Sequence, residues 1–417
     1  MRRVHLIATL DTKGREAAHT REALAALGVA TVLIDTGCQG EPLVAPDVPR
    51  DRVFEAAGTT REQLLRDGDR AAAVAAASVG AARLVAEAHA RGELAGVLAL
   101  GGSAGTTIGA AAMRVLPIGV PKVMVSTVAS GQVRPYVADK DILMLNSVVD
   151  ILGLNRISRA ILGQAARAMA GLALFAEATP PDERPLVTVT MFGVTTPCVM
   201  RAREVLEAAG YEALVFHATG NGGQAMESLI RDGLVAGVLD ITTTELADEL
   251  VGGVFSAGPD RLAAAAERGI PQVVSVGALD MVNFHAPETV PERFSGRRLH
   301  RHNANVTLMR TTPDENAALG ETLGRRLSRA RGPAEIWLPL RGVSALDAPG
   351  APFDDPVARQ ALFEAIRQHA GAVPVARVDR HINDPEFAEA AANRLIELIS
   401  ESQAVSTSEP LPSRSTV

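Results

Sequence analysis

One order of apolar strands and Ala-rich helical stretches occurs twice along this chain, and the repeat constrains the fold more than any other feature. LAGVLALGG at 94–102 matches VAGVLDITT at 235–243, and IGVPKVMVST at 118–127 matches RGIPQVVSVG at 268–277. Alternating strands and helices predict βαβ units around a parallel sheet. The sequence therefore predicts an α/β protein with two duplicated domains, each built on a mainly parallel sheet.

The domain limits follow from breaks in this pattern. We expect a first domain at 1–180 and a second domain at 186–402, with the proline-rich stretch ATPPDERP at 178–185 as the linker between them. The last residues, 403–417, show no apolar period, which predicts a disordered tail.

The first strand is expected at Val4–Leu10. Further along the chain, a long helical stretch is expected from Thr60 to Arg91. Its Ala-rich part, Ala71–Ala90, carries few polar residues. A helix that is apolar on most of its surface is usually buried. We therefore expect this helix to pack against the second domain or in a homodimer interface.

Composition excludes several classes of protein. The net charge is −7 and aromatic residues make up 3% of the chain, so neither a basic surface nor a stacking platform for nucleic acid is expected. No apolar run is expected to span a membrane. The two cysteines indicate a reducing cytoplasm rather than a disulfide framework.

A glycine-rich turn, GGSAGTT at 101–107, follows the third predicted strand of the first domain. Ligands of doubly wound sheets bind beyond the carboxyl ends of the strands, where backbone N–H groups at helix N-termini attract anions. Hydroxyl groups add donors and Lys13 adds a positive charge, so a phosphate site is predicted at this edge. The candidate residues are Asp11, Thr12, Lys13, Gly14, Thr36, Gly101, Gly102, Ser103, Gly105, Thr106, Ser126, Ser130 and Gly131.

The glycine turn matches neither of the common phosphate-binding motifs. A Walker A loop requires a lysine after its last glycine, whereas Gly105 precedes two threonines, and adjacent Gly101 and Gly102 do not fit G-x-G-x-x-G. The alternative is a tight strand-to-helix turn with Thr106 or Thr107 as the N-cap.

Long motifs identify the chain as similar to one family. TLDTKG, GGSAGTT, LPIGVPKVMVSTVASGQVRPYV, SVVDILGLNRIS, TTTELADELVGGVFSAGPDRL, PQVVSVGALDMVNF and LPLRGVSALDAPGAPF resemble the nucleotide-binding N-terminal region of the tomato protein that inhibits tomato mosaic virus replication, a family with many bacterial and fungal members. The resemblance implies two Rossmann-like domains, ATP bound in the first domain with or without Mg²⁺, and self-association as a homodimer. In the plant protein a TIM-barrel region follows, so a separate TIM-barrel chain is an expected partner.

The resemblance places the nucleotide site at the Asp11–Gly14 turn, Thr36 and the Gly101–Thr106 loop. Lys13 would meet phosphate oxygens there. As an exposed lysine, Lys13 would contribute little to the stability of the unliganded protein.

The second domain carries two candidate chemistries. Asp280, His285 and Arg301 are candidate catalytic residues, because a histidine near an aspartate can act in acid–base catalysis, although such a pair can also be structural. The glycines at 220, 222 and 223 form an anion-compatible turn, and Thr242–Thr244 before Glu245 resemble a capping box. No zinc spacing is recognisable among His285, His300 and His302, so no metal site is predicted.

Two functions from different classes are compatible with the sequence. One is an enzyme that binds ATP and acts on a small acidic or phosphorylated metabolite at a cleft between the domains. The other is a nucleotide-binding sensor or regulatory module that acts on a protein partner. Polar groups at the predicted strand ends of both domains motivate the first function, and the lack of a recognisable Walker motif, catalytic triad or metal pattern in the sequence motivates the second.

Overall fold

The computed structural model describes residues 2–175 and 184–408. The chain divides into two compact units between Pro181 and Asp182. The predicted linker at 178–185 lies largely outside the described residues. Each unit is an α/β domain, as the alternation of strands and helices predicted.

The N-terminal unit contains five strands and seven helices in its described part. They are β1 (Arg3–Ala8), α1 (Leu10–Ala26), β2 (Thr31–Asp35), α2 (Arg50–Ala57), α3 (Arg61–Asp67), α4 (Arg70–Ala90), β3 (Leu94–Gly101), α5 (Ser103–Arg114), β4 (Lys122–Ser126), α6 (Arg134–Val137), β5 (Leu143–Asn146) and α7 (Arg156–Leu174).

All strand pairs in this sheet are parallel, and the strand order is β2-β1-β3-β4-β5. β3 is buried along its length except at Ala95, as expected of a central strand with helices on both faces. The strand order reverses direction between β1 and β3. In doubly wound sheets this switch point leaves a crevice at the carboxyl ends of the strands, where ligands bind.

Helices cover both faces of the sheet. On one face, Leu10, Ala17 and Leu24 of α1 join Leu162 and Met169 of α7 over the strands. On the other face, α2, α4 and α5 form a second apolar layer. Both faces are therefore dry, and polar groups can reach a ligand only at the strand ends.

Two local expectations for this unit were wrong. The first strand ends at Ala8 rather than Leu10, so the predicted turn after it is the first turn of α1. The expected single helix from Thr60 to Arg91 is two helices, because Gly68 ends α3 in a left-handed conformation and the Asp69 side chain caps α4. The Gly68-Asp69 pair is the chemistry expected at such a break.

α4 packs within its own domain. Its buried residues, Ala73, Ala77, Gly80, Ala81, Val85 and Ala88, face α2 and α5. Among the helices of the described chain, α4 alone is long and apolar enough to cross a membrane, contrary to the sequence expectation that no such run exists. A helix on the outer layer of an α/β domain passes the same test, and its packing on α2 and α5 accounts for its apolar stripe.

The C-terminal unit begins with a similar series of strands and helices. They are β6 (Leu186–Met191), α8 (Thr196–Ala208), β7 (Glu212–His217), α9 (Asn221–Arg231), β8 (Gly237–Thr242), α10 (Glu245–Val251), α11 (Ala264–Arg268), β9 (Gln272–Gly277), β10 (Met281–Phe284), β11 (Leu299–Arg301), β12 (Thr307–Arg310), α12 (Pro313–Leu327), β13 (Ala334–Pro339), α13 (Pro356–His369), β14 (Val375–Val378) and α14 (Pro385–Ser408).

Its main sheet is parallel, with the order β14-β13-β9-β8-β6-β7. Read from β7, this order is β7-β6-β8-β9-β13-β14. Its first five strands therefore follow the same order as β2-β1-β3-β4-β5 of the N-terminal sheet. The two sequence matches therefore correspond to a repeated topology. β10, β11 and β12 form a separate antiparallel sheet between β9 and α12, which the described part of the N-terminal unit lacks. α14 continues to Ser408, so residues 403–408 of the predicted tail are helical, and the rest lies outside the described residues.

Gly80 tests the contact between α4 and α2. A Cβ at this position would lie 1.8 Å from the carbonyl oxygen of Val53, whereas a Cβ at Gly171 in α7 would meet nothing within 4 Å. Gly80→Ala should lower the free energy of unfolding by about 1–3 kcal/mol through overpacking. Gly171→Ala should raise it by up to about 1 kcal/mol, because alanine is the better helix former. Urea unfolding of both variants measures the difference, and equal effects would contradict the close approach of the two helices.

Candidate anion-binding site

A cavity of about 300 Å³ opens at the carboxyl ends of β1, β2 and β3, at the switch point of the N-terminal sheet. Its walls come from the turns after these three strands and from the first turns of α4 and α5. The lining residues are Thr9, Asp11, Thr12, Lys13, Thr36, Gly37, Cys38, Gln39, Arg70, Ala73, Val74, Gly102, Ser103, Ala104, Gly105 and Ile108.

The N-terminus of α5 faces this cavity without a side-chain cap. Gly102 is the N-cap residue and has no side chain to accept from the helix, while Ser103, Ala104 and Gly105 form the first turn. The first N–H groups of a helix have no partner within it. This end of α5 therefore offers amide donors and the positive end of the helix dipole to an anion.

The glycines of the turn have different roles. A Cβ at Gly101 would lie 2.7 Å from the Cα of Gly105, so Gly101 allows the chain to close tightly on itself. At Gly102 the nearest atom to a Cβ would be the Thr127 hydroxyl at 3.6 Å, and the φ of −78° is open to any residue. Gly101 is thus required by the turn, whereas Gly102 leaves the approach to the backbone open.

Thr36 adds a buried donor to the same cavity. The residue is 3% exposed, and its backbone N–H donates to the carbonyl of Ala8 at 3.0 Å. Its hydroxyl has no hydrogen-bond partner among the described residues. The hydroxyl oxygen is open to the cavity, so it can donate to a ligand oxygen.

Two cationic side chains line the cavity. Lys13, in the first turn of α1, already donates from Nζ to the carbonyl of Ile151 in the loop before α7. Lys13 thus ties α1 to that loop, which differs from the free exposed lysine that the sequence suggested. Arg70, at the start of α4, forms no hydrogen bond or ion pair within the described part of the chain.

Asp11 is the only carboxylate among the lining residues. Its Oδ2 accepts from the backbone N–H of Gln39 at 3.1 Å. A Cβ at Gly37 would lie 2.6 Å from Oδ1, so the absence of a side chain there lets the loop after β2 lie against this carboxylate. Asp11 therefore holds one wall in place and presents negative charge beside two cations.

A buried ion pair beneath the cavity holds its walls together. Asp35 and Arg50 are 1% and 5% exposed, and the Arg50 Nε lies 2.7 Å from the Asp35 Oδ2. The Asp35 Oδ1 accepts from the N–H groups of Leu10 and Gly37. Arg50 also donates to the carbonyl of Gly40 at 2.5 Å. This one pair positions the start of α1 and both ends of the loop from 37 to 40.

The structure brings together seven of the thirteen residues predicted for this site. Asp11, Thr12, Lys13, Thr36, Gly102, Ser103 and Gly105 line the cavity. The remaining six lie outside the lining: Gly14, Gly101, Thr106, Ser126, Ser130 and Gly131.

Other structural roles account for most of these six. A Cβ at Gly14 would meet Leu43 at 2.7 Å, so Gly14 serves helix packing. The buried hydroxyls of Thr106 and Ser126 bond to each other at 2.7 Å and join α5 to the end of β4. Ser130 and Gly131 are exposed in the turn after β4. As phosphate ligands these residues stay predictions.

The sequence reasoning missed Arg70, Cys38 and Gln39. The Asp69 cap that starts α4 is the signal that could have placed Arg70 at a helix N-terminus. Burial and then the Asp11 carboxylate raise the pKa of the Cys38 thiol above its usual range. Cys38 is therefore a neutral wall of the cavity at physiological pH rather than a thiolate nucleophile.

The three candidate catalytic residues of the C-terminal unit are not assembled as one site. Asp280 directly precedes β10 and His285 directly follows it. Five residue steps along an extended strand separate the two by about 16 Å. Arg301 in β11 lies at the His285 end, two strands across from β10. His285 and Arg301 are exposed, whereas Asp280 is fully buried.

Asp280 belongs to a buried polar cluster. Its Oδ2 accepts from the Ser344 hydroxyl at 2.8 Å, and its Oδ1 is buried without a partner. Burial and the neighbouring Asp347 carboxylate raise the pKa of Asp280 to about 7, against the lowering effect of Arg310. A carboxyl that is held within the core in this way fits a structural role.

A second cluster occupies the strand ends of the C-terminal sheet. The fully buried Arg261 pairs with Asp240 at 2.5 Å and 2.7 Å, with Glu245 at 2.7 Å and with Glu227 at 3.4 Å. The Glu245 Oε1 also accepts from the N–H groups of Gly220 and Gly223 at 2.7 and 3.1 Å. The glycine turn that the sequence marked as anion-compatible thus binds a carboxylate of its own chain.

Glu245 also revises the predicted capping box. Thr244 makes no side-chain cap, and the Glu245 carboxylate reaches the start of α9 instead of the start of its own helix. In the sequence match between the two units, Glu245 aligns with Ala104. Ala104 lines the cavity of the N-terminal unit. A carboxylate thus occupies the C-terminal unit at the position where the N-terminal unit has an open cavity.

These features define a protein of two Rossmann-like α/β domains, with an open pocket at the switch point of the first. The chain belongs to the family described as "Uncharacterised protein family (UPF0261)". The N-terminal domain of that family matches residues 2–178 and the C-terminal domain matches residues 184–399. The family resemblance inferred from the sequence motifs is confirmed.

Two relatives illustrate the extent of the similarity. A UPF0261 protein of Clostridium tetani (strain Massachusetts / E88) is 47% identical over 400 residues, which cover 95% of this chain and 99% of the relative. The ToMV resistance protein Tm-1(GCR237) of Solanum lycopersicum is 46% identical over 330 residues, 77% of this chain and 44% of the tomato protein.

Similarity to solved structures is weaker. The S. aureus MnaA-UDP co-structure aligns over 98% of this chain and 99% of its own, with 10% identity and a TM-score of 0.23. At this score the likeness carries no argument about the ligand.

The raised pKa of Asp280 makes a pH-dependent prediction. Between its ordinary value of 3.8 and about 7 the folded protein binds more protons than the unfolded chain. The contribution of Asp280 to stability is therefore complete below pH 4 and is lost as the pH rises toward 7. Asp280→Asn should flatten this loss in urea unfolding measured at several pH values.

Asp379→Asn is the control for this experiment. Asp379 is exposed, and its hydrogen bond with Arg341 lowers its pKa, so the slope between pH 4 and 7 should stay as in the wild type. An Asp280→Asn variant with the wild-type slope would show that Asp280 ionises normally in the folded protein.

Proposed function

We propose that the N-terminal domain binds a nucleotide through its phosphates and that ATP is the ligand. The observation that carries the proposal is the uncapped N-terminus of α5, which opens on a cavity beside the unpartnered hydroxyl of Thr36. Helix amides and hydroxyl donors are the groups that phosphate oxygens bind. The choice of ATP comes from the family resemblance.

The walls of the cavity suit a mononucleotide. Apolar side chains of Ala73, Val74 and Ile108 lie along one side, opposite the polar turns, so a flat base and a charged phosphate group both find compatible surfaces. In dinucleotide-binding domains an acidic residue further along the chain binds a ribose hydroxyl. The acid at the end of β2, Asp35, is buried and paired with Arg50. This favours a mononucleotide over NAD.

Asp11 is the residue that would meet a magnesium ion carried by the phosphates. Mg²⁺ in nucleotide sites is commonly held by one or two carboxylates together with phosphate oxygens and water. A carboxylate in an otherwise cationic pocket fits that role. Bound Mg²⁺ would neutralise phosphate charge, while Asp11 would orient the ion.

We propose a binding module that acts on a protein partner, rather than an enzyme. The Cys38 thiol in the pocket is neutral, and the acidic and basic residues proposed for catalysis lie apart in the C-terminal unit. The catalytic alternative, with a small acidic or phosphorylated metabolite bound between the domains, stays a prediction.

The setting of this module is part of the proposal. The free cysteines, Cys38 and Cys198, support a cytoplasmic location. We also propose a protein partner with a TIM-barrel region, which is what the family resemblance implies. We propose a homodimer, as the resemblance implies.

Gly102→Val tests the phosphate site directly. The backbone conformation of Gly102 accepts a side chain, and a Cβ there has room, so the melting temperature without ATP should change by less than about 2 °C. A branched side chain would block the approach of a phosphate to the α5 amides. Calorimetric titration should therefore show ATP affinity lowered by at least about tenfold.

Gly296→Val is the matched control, because Gly296 is exposed in the C-terminal unit and a Cβ there would meet nothing within 4 Å. It should bind ATP as the wild type does. Tight ATP binding by Gly102→Val would place the phosphate site elsewhere.

Lys13→Ala tests the cation of the first α1 turn. Loss of one charge-assisted contact, worth about 1.5–3 kcal/mol, should weaken ATP binding by about one to two orders of magnitude. Because Lys13 also donates to Ile151, the melting temperature of the unliganded variant should fall as well. Unchanged stability would show that the bond to Ile151 contributes nothing, and unchanged affinity would remove Lys13 from the site.

A further inference from the structure

Arg70 occupies a special place at the mouth of the cavity. It is the first residue of α4 and lines both the main cavity and the open groove between α4 and α5. Ser103 and Ala104 of the first α5 turn line the same two spaces. The Arg70 side chain therefore lies beside the N-terminus of α5, on the side opposite α1.

The guanidinium of Arg70 is unengaged, unlike those of the other arginines around the pocket. Arg50 pairs with Asp35, and Arg61 donates to the carbonyls of Cys38 and Gln39. The Oδ1 of the neighbouring Asp69 accepts from two N–H groups of α4 and caps that helix. Within residues 2–175 and 184–408, Arg70 forms no hydrogen bond or ion pair.

The positive groups of the pocket lie on two sides of one helix end. Lys13 of α1 stands on one side of the α5 N-terminus, and Arg70 of α4 stands on the other. A single phosphate can be held by the α5 amides, the Thr36 hydroxyl and Lys13. The planar fork of an arginine binds phosphate in a bidentate manner, so Arg70 is suited to a second anionic group.

From this arrangement, and resting on the proposed nucleotide site, we infer that Arg70 is a specificity-determining residue that recognises a second phosphate of the ligand. The pocket therefore prefers compounds with two or more linked phosphates over monophosphates. Arg70 binds the second phosphate group of the ligand, whereas the α5 amides and Lys13 bind the first phosphate group.

The test compares ligands that differ only in phosphate number. ATP, ADP and AMP are titrated calorimetrically into the wild type, Arg70→Ala and Arg70→Lys. Arg70→Ala should weaken ATP binding by about 10–100-fold, the loss of one charge-assisted contact, and AMP binding by less than about threefold. Arg70→Lys keeps the charge without the fork and should lie between.

Arg66→Ala is the matched control. Arg66 is an exposed arginine of α3 that lies outside the cavity lining, so its removal lowers the net charge equally without touching the site. It should bind all three nucleotides as the wild type does. Equal loss of ATP and AMP affinity in Arg70→Ala, no loss at all, or wild-type protein that binds AMP as tightly as ATP would each overturn the inference.

Tripolyphosphate, pyrophosphate and orthophosphate separate this inference from the proposed function. If the wild type binds tripolyphosphate through Arg70 but binds no nucleotide, the role of Arg70 stands and the nucleotide proposal fails. If the wild type binds nucleotides with no dependence on Arg70, the nucleotide proposal stands and this inference fails. Binding of neither class of ligand overturns both.

Discussion

The carboxylate of Asp35 is the interaction on which the N-terminal pocket depends. It accepts from the first amide of α1 and from Gly37, and it pairs with Arg50, which in turn holds the carbonyl of Gly40. Both partners are buried, and removing one would leave the other as an uncompensated charge, which is strongly destabilising. The pocket walls are thus fixed before any ligand arrives, so binding does not have to order them.

The electrostatics of the pocket follow from its place in the sheet. Parallel strands direct the N-termini of the following helices to one edge, and the switch point between β1 and β3 separates them enough to leave a cavity. α5 contributes uncapped amides there, while Lys13 and Arg70 contribute charge. Asp11 balances these cations. These groups do not form a Walker loop. Like a Walker loop, however, they present backbone N–H groups and a cationic side chain at the start of a helix.

The sequence was sufficient for the architecture, and seven of the thirteen residues predicted for the nucleotide site line one cavity. Strand and helix alternation and the internal matches predicted the two parallel sheets, because buried parallel strands are recognisable as short apolar runs. The glycine turn led correctly to the α5 N-terminus. The sequence could not distinguish the roles of Gly101 and Gly102. The turn requires Gly101 because of the position of Gly105, whereas Gly102 leaves the backbone accessible.

Arg70 could not be predicted because it is distant in sequence from the turn that it faces. Asp280 and His285 misled for the opposite reason, because residues near in sequence lie far apart along an extended strand.

The carboxylate of Glu245 has a consequence for how the two halves respond to their surroundings. The C-terminal domain carries its anion as part of the chain, at an effective concentration that no metabolite can change. The N-terminal domain has an alanine at the matching position and an open space beside it. By mass action, an anion that binds only the folded form stabilises that form in proportion to the logarithm of its concentration. With the proposed ligand, the stability of the N-terminal domain would rise with the ligand concentration, whereas the stability of the C-terminal domain would not depend on it.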